Sequence, residues 1–109
     1  MSLLSSIQGV NPLVSNEDYY VLIESHLEFL RNHPRNRILE VTPHEADVYM
    51  GDLSGLLKEK MIPVSSHYAI VRMNGFSSSM TYDGVATHFI IPDDSVISRI
   101  VNSYTSVEA

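Results

Sequence analysis

The sequence predicts an α+β fold, and three observations carry that expectation. The stretch from Tyr49 to Asn74 reads as two short helices broken at Pro63. Runs rich in β-branched residues lie on either side of it, at Arg37 to Val41 and at Val85 to Ile91. Amphipathic periodicity then marks both flanks, over about residues 16–32 and 95–104. Helical spacing of three and four in some segments, and β-rich runs closed by turn residues in others, define a mixed domain.

The helical pair is the best-defined part. After the turn Gly51-Asp52, the residues Leu53, Leu56, Leu57, Lys60 and Met61 fall at helical spacing, which places the leucines on one face. Asp52 is an N-cap, because its carboxylate can accept from the unpaired amides of the first turn. Pro63 stops this helix, and Ser65-Ser66 can cap a second one that ends at Asn74-Gly75. A rival reading makes Asn74-Gly75 a hairpin turn between His67–Met73 and Phe76–Tyr82. The serine run Ser77–Ser79 is a poor strand, so the helix is preferred.

Residues 1–14 mix Ser, Gly, Asn and Pro with isolated apolar residues, among them Leu3, Leu4, Ile7 and Val10. No period persists, so an extended arm is expected. It either folds back on its own domain or lies in a groove of a neighbouring subunit. Residues 15–34 then read as one amphipathic helix of about four turns. Ser15 and Asp18 stand at capping-box spacing, Tyr19, Leu22, Ile23, His26, Leu27 and Leu30 share one face, and Asn32-His33-Pro34 ends it.

Further on, Thr42-Pro43-His44-Glu45 combines an N-cap threonine, a proline at the first helical position and a glutamate at capping-box spacing. A short helix to about Tyr49 is expected, in preference to a strand ending at Asp47–Tyr49. Tyr82-Asp83-Gly84 is a turn, and the following strand is closed by Pro92. Asp93-Asp94-Ser95 caps a last helix with Val96, Ile97, Ile100, Val101 and Tyr104 on one face, and Thr105–Ala109 is read as a tail. Residues 93–109 thus form a C-terminal helix and tail.

Composition narrows the functional classes. The chain has 109 residues, enough for one domain with a modest core. It carries 7 Lys plus Arg against 13 Asp plus Glu, a formal charge of -6, which opposes binding to phosphate backbones and anionic membranes. Nucleic-acid and membrane partners are therefore not expected. The one local cluster of cations, Arg31, Arg35 and Arg37, reads as a solvated corner. With no cysteine there are no disulfides, thiolate metal sites or cysteine nucleophiles. No apolar run approaches the ~20 residues of a membrane span, and the N-terminus lacks the pattern of a signal peptide. A soluble protein, not conventionally secreted, is expected.

The residues offer little to catalysis. Ser54 stands one place too late for a nucleophile elbow after Gly51. His26, His33, His44, His67 and His88 do not pair at ligand spacing, so no metal site is expected. Asp93 and Asp94 are better explained by capping than by paired acid-base work, and the glycines are too dispersed for a phosphate loop. No catalytic residue and no cofactor is expected, and the chain is read as not an enzyme.

Across roughly residues 38–92 the pattern Gly51-Asp52-Leu53-Ser54-Gly55-Leu56-Leu57, then Asn74-Gly75, then Tyr82-Asp83-Gly84, then Phe89-Ile90-Ile91-Pro92 resembles a LysM domain. The variant it resembles most is the LysM-like domain of baseplate wedge proteins in tailed phages, here through Ala46, Tyr49, Gly51 and Asp52, and then Tyr68, Ile70 and Val71 ahead of Asn74. The usual threonine after Gly-Asp is absent, and the loop from Lys58 to Ser66 is longer than in a typical module. The resemblance implies a small βααβ core over residues 37–92, with an added N-terminal helix and a C-terminal helix. It implies a non-enzymatic structural or interaction subunit, a tail or baseplate component of a phage virion assembled in the host cytoplasm. Its partners would be other protein subunits, with Leu3, Leu4, Ile7 and Val10 as a partner-binding arm. The alternative it implies is a module binding peptidoglycan- or chitin-type glycans in a groove at Gly51, Asp52, Leu53, Gly75, Phe76 and Ser77. Glycan sites offer an aromatic platform, and Phe76 is the only ring those loops supply.

Overall fold

The two short strands on either side of the helical pair meet each other. In the computed structural model, which describes residues 16–108, β1 (Arg37–Glu40) pairs antiparallel with β2 (His88–Ile91), with Ile38 opposite Ile90 and Leu39 opposite Phe89. Six α-helices complete the described chain: α1 (Asn16–Ser25), α2 (Leu27–Arg31), α3 (Pro43–Val48), α4 (Leu53–Glu59), α5 (His67–Met73) and α6 (Asp94–Glu108). The fold class is α+β. The arm read at residues 1–14, and the capping serine Ser15, lie outside the described residues.

The first amphipathic segment is two helices, not one. At its break the Leu22 carbonyl accepts from Ser25 Oγ at 3.1 Å and lies 2.7 Å from His26 Nδ1. The His26 amide instead bonds Ile23 O, one residue short of the α pattern. Side chains that compete for a carbonyl interrupt the ladder in this way.

α3 carries the full capping box, with Glu45 N–H donating to Thr42 Oγ1 and Thr42 N–H donating to Glu45 Oε1. α4 is capped by Asp52 Oδ1, which accepts from Gly55 N–H at 2.9 Å. It ends at Glu59, four residues before Pro63, not at it. Met61 adopts a left-handed φ of 65°, and the amides of Met61 and Ile62 return to the carbonyls of Lys58 and Leu57. This is the Schellman arrangement, with methionine where glycine is usual. α5 ends in the same way, with Gly75 at φ 89° and Phe76 N–H bonding Val71 O.

α5 is a helix, and a 3₁₀ turn at Val64–Ser66 leads into it. Ser65 and Ser66 do not cap it through their side chains. Both are buried, and Ser66 Oγ donates to Pro63 O. β2 starts at His88, not Val85, because Asp83 Oδ1 gathers the amides of Val85 and Ala86 into a turn. α6 runs on to Glu108, so the segment read as a tail from Thr105 is helical.

Two apolar clusters share α5. On one side Ile70 and Val71 join Leu53, Leu56 and Leu57 of α4, together with Val41, Ala46, Ile62, Tyr82, Phe89 and Ile91. On the other, Ala69 and Met73 pack with Tyr19, Leu22 and Ile23 of α1, Leu30 of α2, and Val96, Ile97 and Val101 of α6. The flanking helices therefore have a partner within the chain. Tyr19 sews them to the rest, its buried hydroxyl donating to Ser65 O at 2.8 Å.

Candidate interaction site

The segment from Gly51 to Ser54 and the segment after Gly75 are held together by two hydrogen bonds, one of them to a side chain. Gly51 N–H donates to Tyr82 O at 2.9 Å, and Ser54 N–H donates to Ser79 Oγ at 2.8 Å. The serine segment thus crosses the first turn of α4, held there by an otherwise unpaired helical amide. Between the two lies a shallow depression of about 220 Å³, lined by Ser54, His67, Tyr68, Val71 and Ser77–Ser79. Small-molecule sites are usually larger, about 300–1,000 Å³.

Of the six residues read as a groove, Ser77 alone lines this depression. Leu53 is fully buried in the core. Phe76 is half-buried and stands edge-on to Tyr82 at 5.6 Å, and Tyr82 stands edge-on to Phe89 at 5.7 Å. Its ring belongs to a stack of three aromatics whose inner members are core. Asp52 and Gly75 are exposed, but the Asp52 carboxylate is engaged by the Gly55 amide. Leu3, Leu4, Ile7 and Val10 lie outside the described residues.

His67 borders the depression without being available to it. Its Nε2 donates to Ile62 O at 2.8 Å, and burial pushes its pKa down, aided by the charge of Lys58. Its imidazole is therefore held neutral and serves the loop ahead of α5.

Polar side chains join α1 to α5 at the surface. Glu24 takes a two-pronged bond from Arg72, at 2.5 and 3.0 Å, and a third from the Tyr68 hydroxyl at 2.7 Å. The hydrogen bonds from Arg72, then Tyr68, hold the Glu24 carboxyl at about 2. Tyr20 stacks on Tyr68 with ring centres 4.4 Å apart. The arginines read as a solvated corner diverge: Arg31 donates to the carbonyls of Arg72 and Met73 at the end of α5, and Arg35 lies 3.7 Å from Asp93. Cations at a helix C-terminus are favourably placed. No local signal marks Glu24 and Arg72 as a pair, because 48 residues separate them.

A second feature legible only in three dimensions is an exposed apolar surface beside Gly51. Met50 packs so closely on Gly84 that a side chain there would meet Met50 Cβ at 2.8 Å. The Met80 carbonyl lies 3.8 Å from where Gly51 would carry a side chain. Met50, Met80 and Val85 are 59%, 79% and 75% exposed.

Among the described residues no three His, Asp or Glu side chains are grouped as a metal site would require. No described helix is long and apolar enough to cross a membrane. No family model matches the chain, and neither the curated proteins nor the solved structures compared with it give a match.

Proposed function

We propose that the chain is a non-enzymatic structural or interaction subunit, a tail or baseplate component of a phage virion that joins neighbouring protein subunits. In this reading residues 37–92 are a LysM-like βααβ core in which α4 and α5 lie between the paired strands, and α3 is an insertion after the first. The observation that carries the reading is the division of labour among side chains around Gly51. Leu53 and Phe76, which a glycan groove would use, are committed to the core and to the Tyr82 stack. Met50 and Met80, next to Gly51, are large apolar side chains that stand in water instead. Surfaces of that kind mark protein contacts more often than sugar sites.

Two measurements test this. Titration calorimetry with chitin oligomers or peptidoglycan fragments at millimolar concentration is expected to give no saturable heat. Co-expression with tail and baseplate proteins is expected to give a stable complex by size exclusion. Saturable oligomer binding that is lost in Phe76→Ala would replace this reading with the glycan-binding one.

A further inference from the structure

We propose that the exposed surface formed by Met50, Met80 and Val85 is a docking site for a protein segment that combines large apolar side chains with Lys or Arg. The inference rests on reading the chain as an interaction subunit and names the chemistry of one partner surface. The apolar part follows from geometry. Met50 packs on the Gly84 turn, Val85 follows that turn, and Met80, in the 3₁₀ turn Ser79–Thr81, brings its carbonyl beside Gly51. Gly51 N–H to Tyr82 O ties the two segments together, so the three exposed residues stand on turns that are linked to one another. Val48, at the end of α3, is also exposed. Unbranched methionines adapt to irregular apolar partners, which suits such a platform to docking.

The charge around it fixes the partner's sign. Asp47, Asp52 and Asp83 are all exposed on the two segments that build the platform. Asp83 is held below the usual carboxylate range by the amides of Val85 and Ala86, so it is charged at neutral pH. No Lys or Arg occurs between Arg37 and Lys58, or between Arg72 and Arg99. Lys60, at the end of α4, is held by Glu45 at 2.5 Å. An apolar platform with an acidic border attracts cationic apolar segments and repels anionic ones. A second copy of this chain fits poorly, since each copy would bring the same aspartates to the contact.

The test uses the full chain and two synthetic amphipathic peptides with one leucine pattern, one filled with lysine and the other with glutamate. Methionine methyl signals in NMR report the site, and calorimetry reports affinity. The lysine peptide is expected to bind saturably and to shift the Met50 and Met80 methyls, more weakly as salt rises. Met80→Ser and Asp47→Lys are each expected to weaken it by roughly tenfold, while the glutamate peptide gives no shift. Both substituted sites are exposed, so a matching thermal midpoint shows that folding is intact. Equal binding of both peptides, no methyl shifts, or an unchanged affinity in Met80→Ser would overturn the proposal. So would self-association of the peptide-free chain that Met80→Ser abolishes, since the occupant would then be a second copy. If the platform fails while the chain still forms a complex with tail proteins, the wider reading stands. Loss of that complex with peptide binding intact would remove the wider reading alone.

Discussion

The Asn74 side chain holds the backbone of Ile90 from both sides: its Oδ1 accepts from Ile90 N–H at 2.7 Å, and its Nδ2 donates to Ile90 O at 3.0 Å. Nδ2 also reaches Ile70 O at 2.7 Å, one turn back in α5. The register explains why Ile90 needs this. Val41 N–H bonds Thr87 O, so the bonded pairs of the sheet continue at Leu39–Phe89, and Ile38–Ile90 is a pair without mutual bonds. The amide and carbonyl of Ile90 therefore point away from β1. Asn74 takes the place of a third strand at that point and fixes α5 against the sheet.

Asn74→Ala should cost about 2–4 kcal/mol in urea unfolding, because it removes these bonds and leaves a partly buried amide unpaired. Asn74→Asp should not restore stability at neutral pH, since it keeps the acceptor and sets an oxygen against two carbonyls. Native-state hydrogen exchange of the Ile90 amide should accelerate in both. An unaffected amide would show that the clasp does not protect the strand.

The two left-handed helix ends give opposite expectations. Met61→Gly should stabilise by roughly 0.5–1 kcal/mol, since the residue is 87% exposed and glycine adopts this φ without strain. Gly75→Ala should destabilise by about 1–2 kcal/mol from backbone strain alone, because an added side chain would meet nothing within 4 Å. Changes of the same sign in chemical denaturation would contradict this pairing.

Leu56 is fully buried where α4 meets α5. Leu56→Ala should cost ~2–5 kcal/mol, through lost apolar burial and the cavity left behind. A loss below about half a kcal/mol would mean that the site collapses around the smaller side chain.

Acid should weaken the fold in two stages. The His67 pKa is lowered in the folded state, so the unfolded chain takes up the proton first, and stability starts to fall as pH drops through about 6.5. Glu24 is likewise lowered, from 4.5 to about 2, so its contribution is whole above 4.5 and is lost as pH falls towards 2. Glu24→Gln should be less stable than the parent at neutral pH and lose less between pH 5 and pH 3, a window set by that lowered value. Parallel stability curves for the two proteins would argue against the Arg72–Glu24 link as the cause.

The sequence by itself determined the elements whose signals are local. Asp52 before Leu53 and the Thr42–Glu45 box mark helix starts because a side chain bonds an amide three residues away. The leucine spacing of α4 placed Leu53, Leu56 and Leu57 in the core for the same short-range reason. What only the tertiary structure decided lies where competing partners sit far apart in the chain or where local signals conflict. The Leu22 carbonyl, contested by Ser25 and His26, divided the first helix, and the Met61 turn ended α4 before Pro63 could. Spacing is also silent about Leu53 and Phe76, since it looks the same whether their side chains face a ligand or a core. Leu53 shares a cluster with Val71 and Phe76 stands against Tyr82, and helical or strand period carries no record of such neighbours. The exposed residues Met50, Met80 and Val85 follow no period at all, because they lie on separate turns brought together by the Gly51–Tyr82 and Ser54–Ser79 bonds and by the packing of Met50 on Gly84.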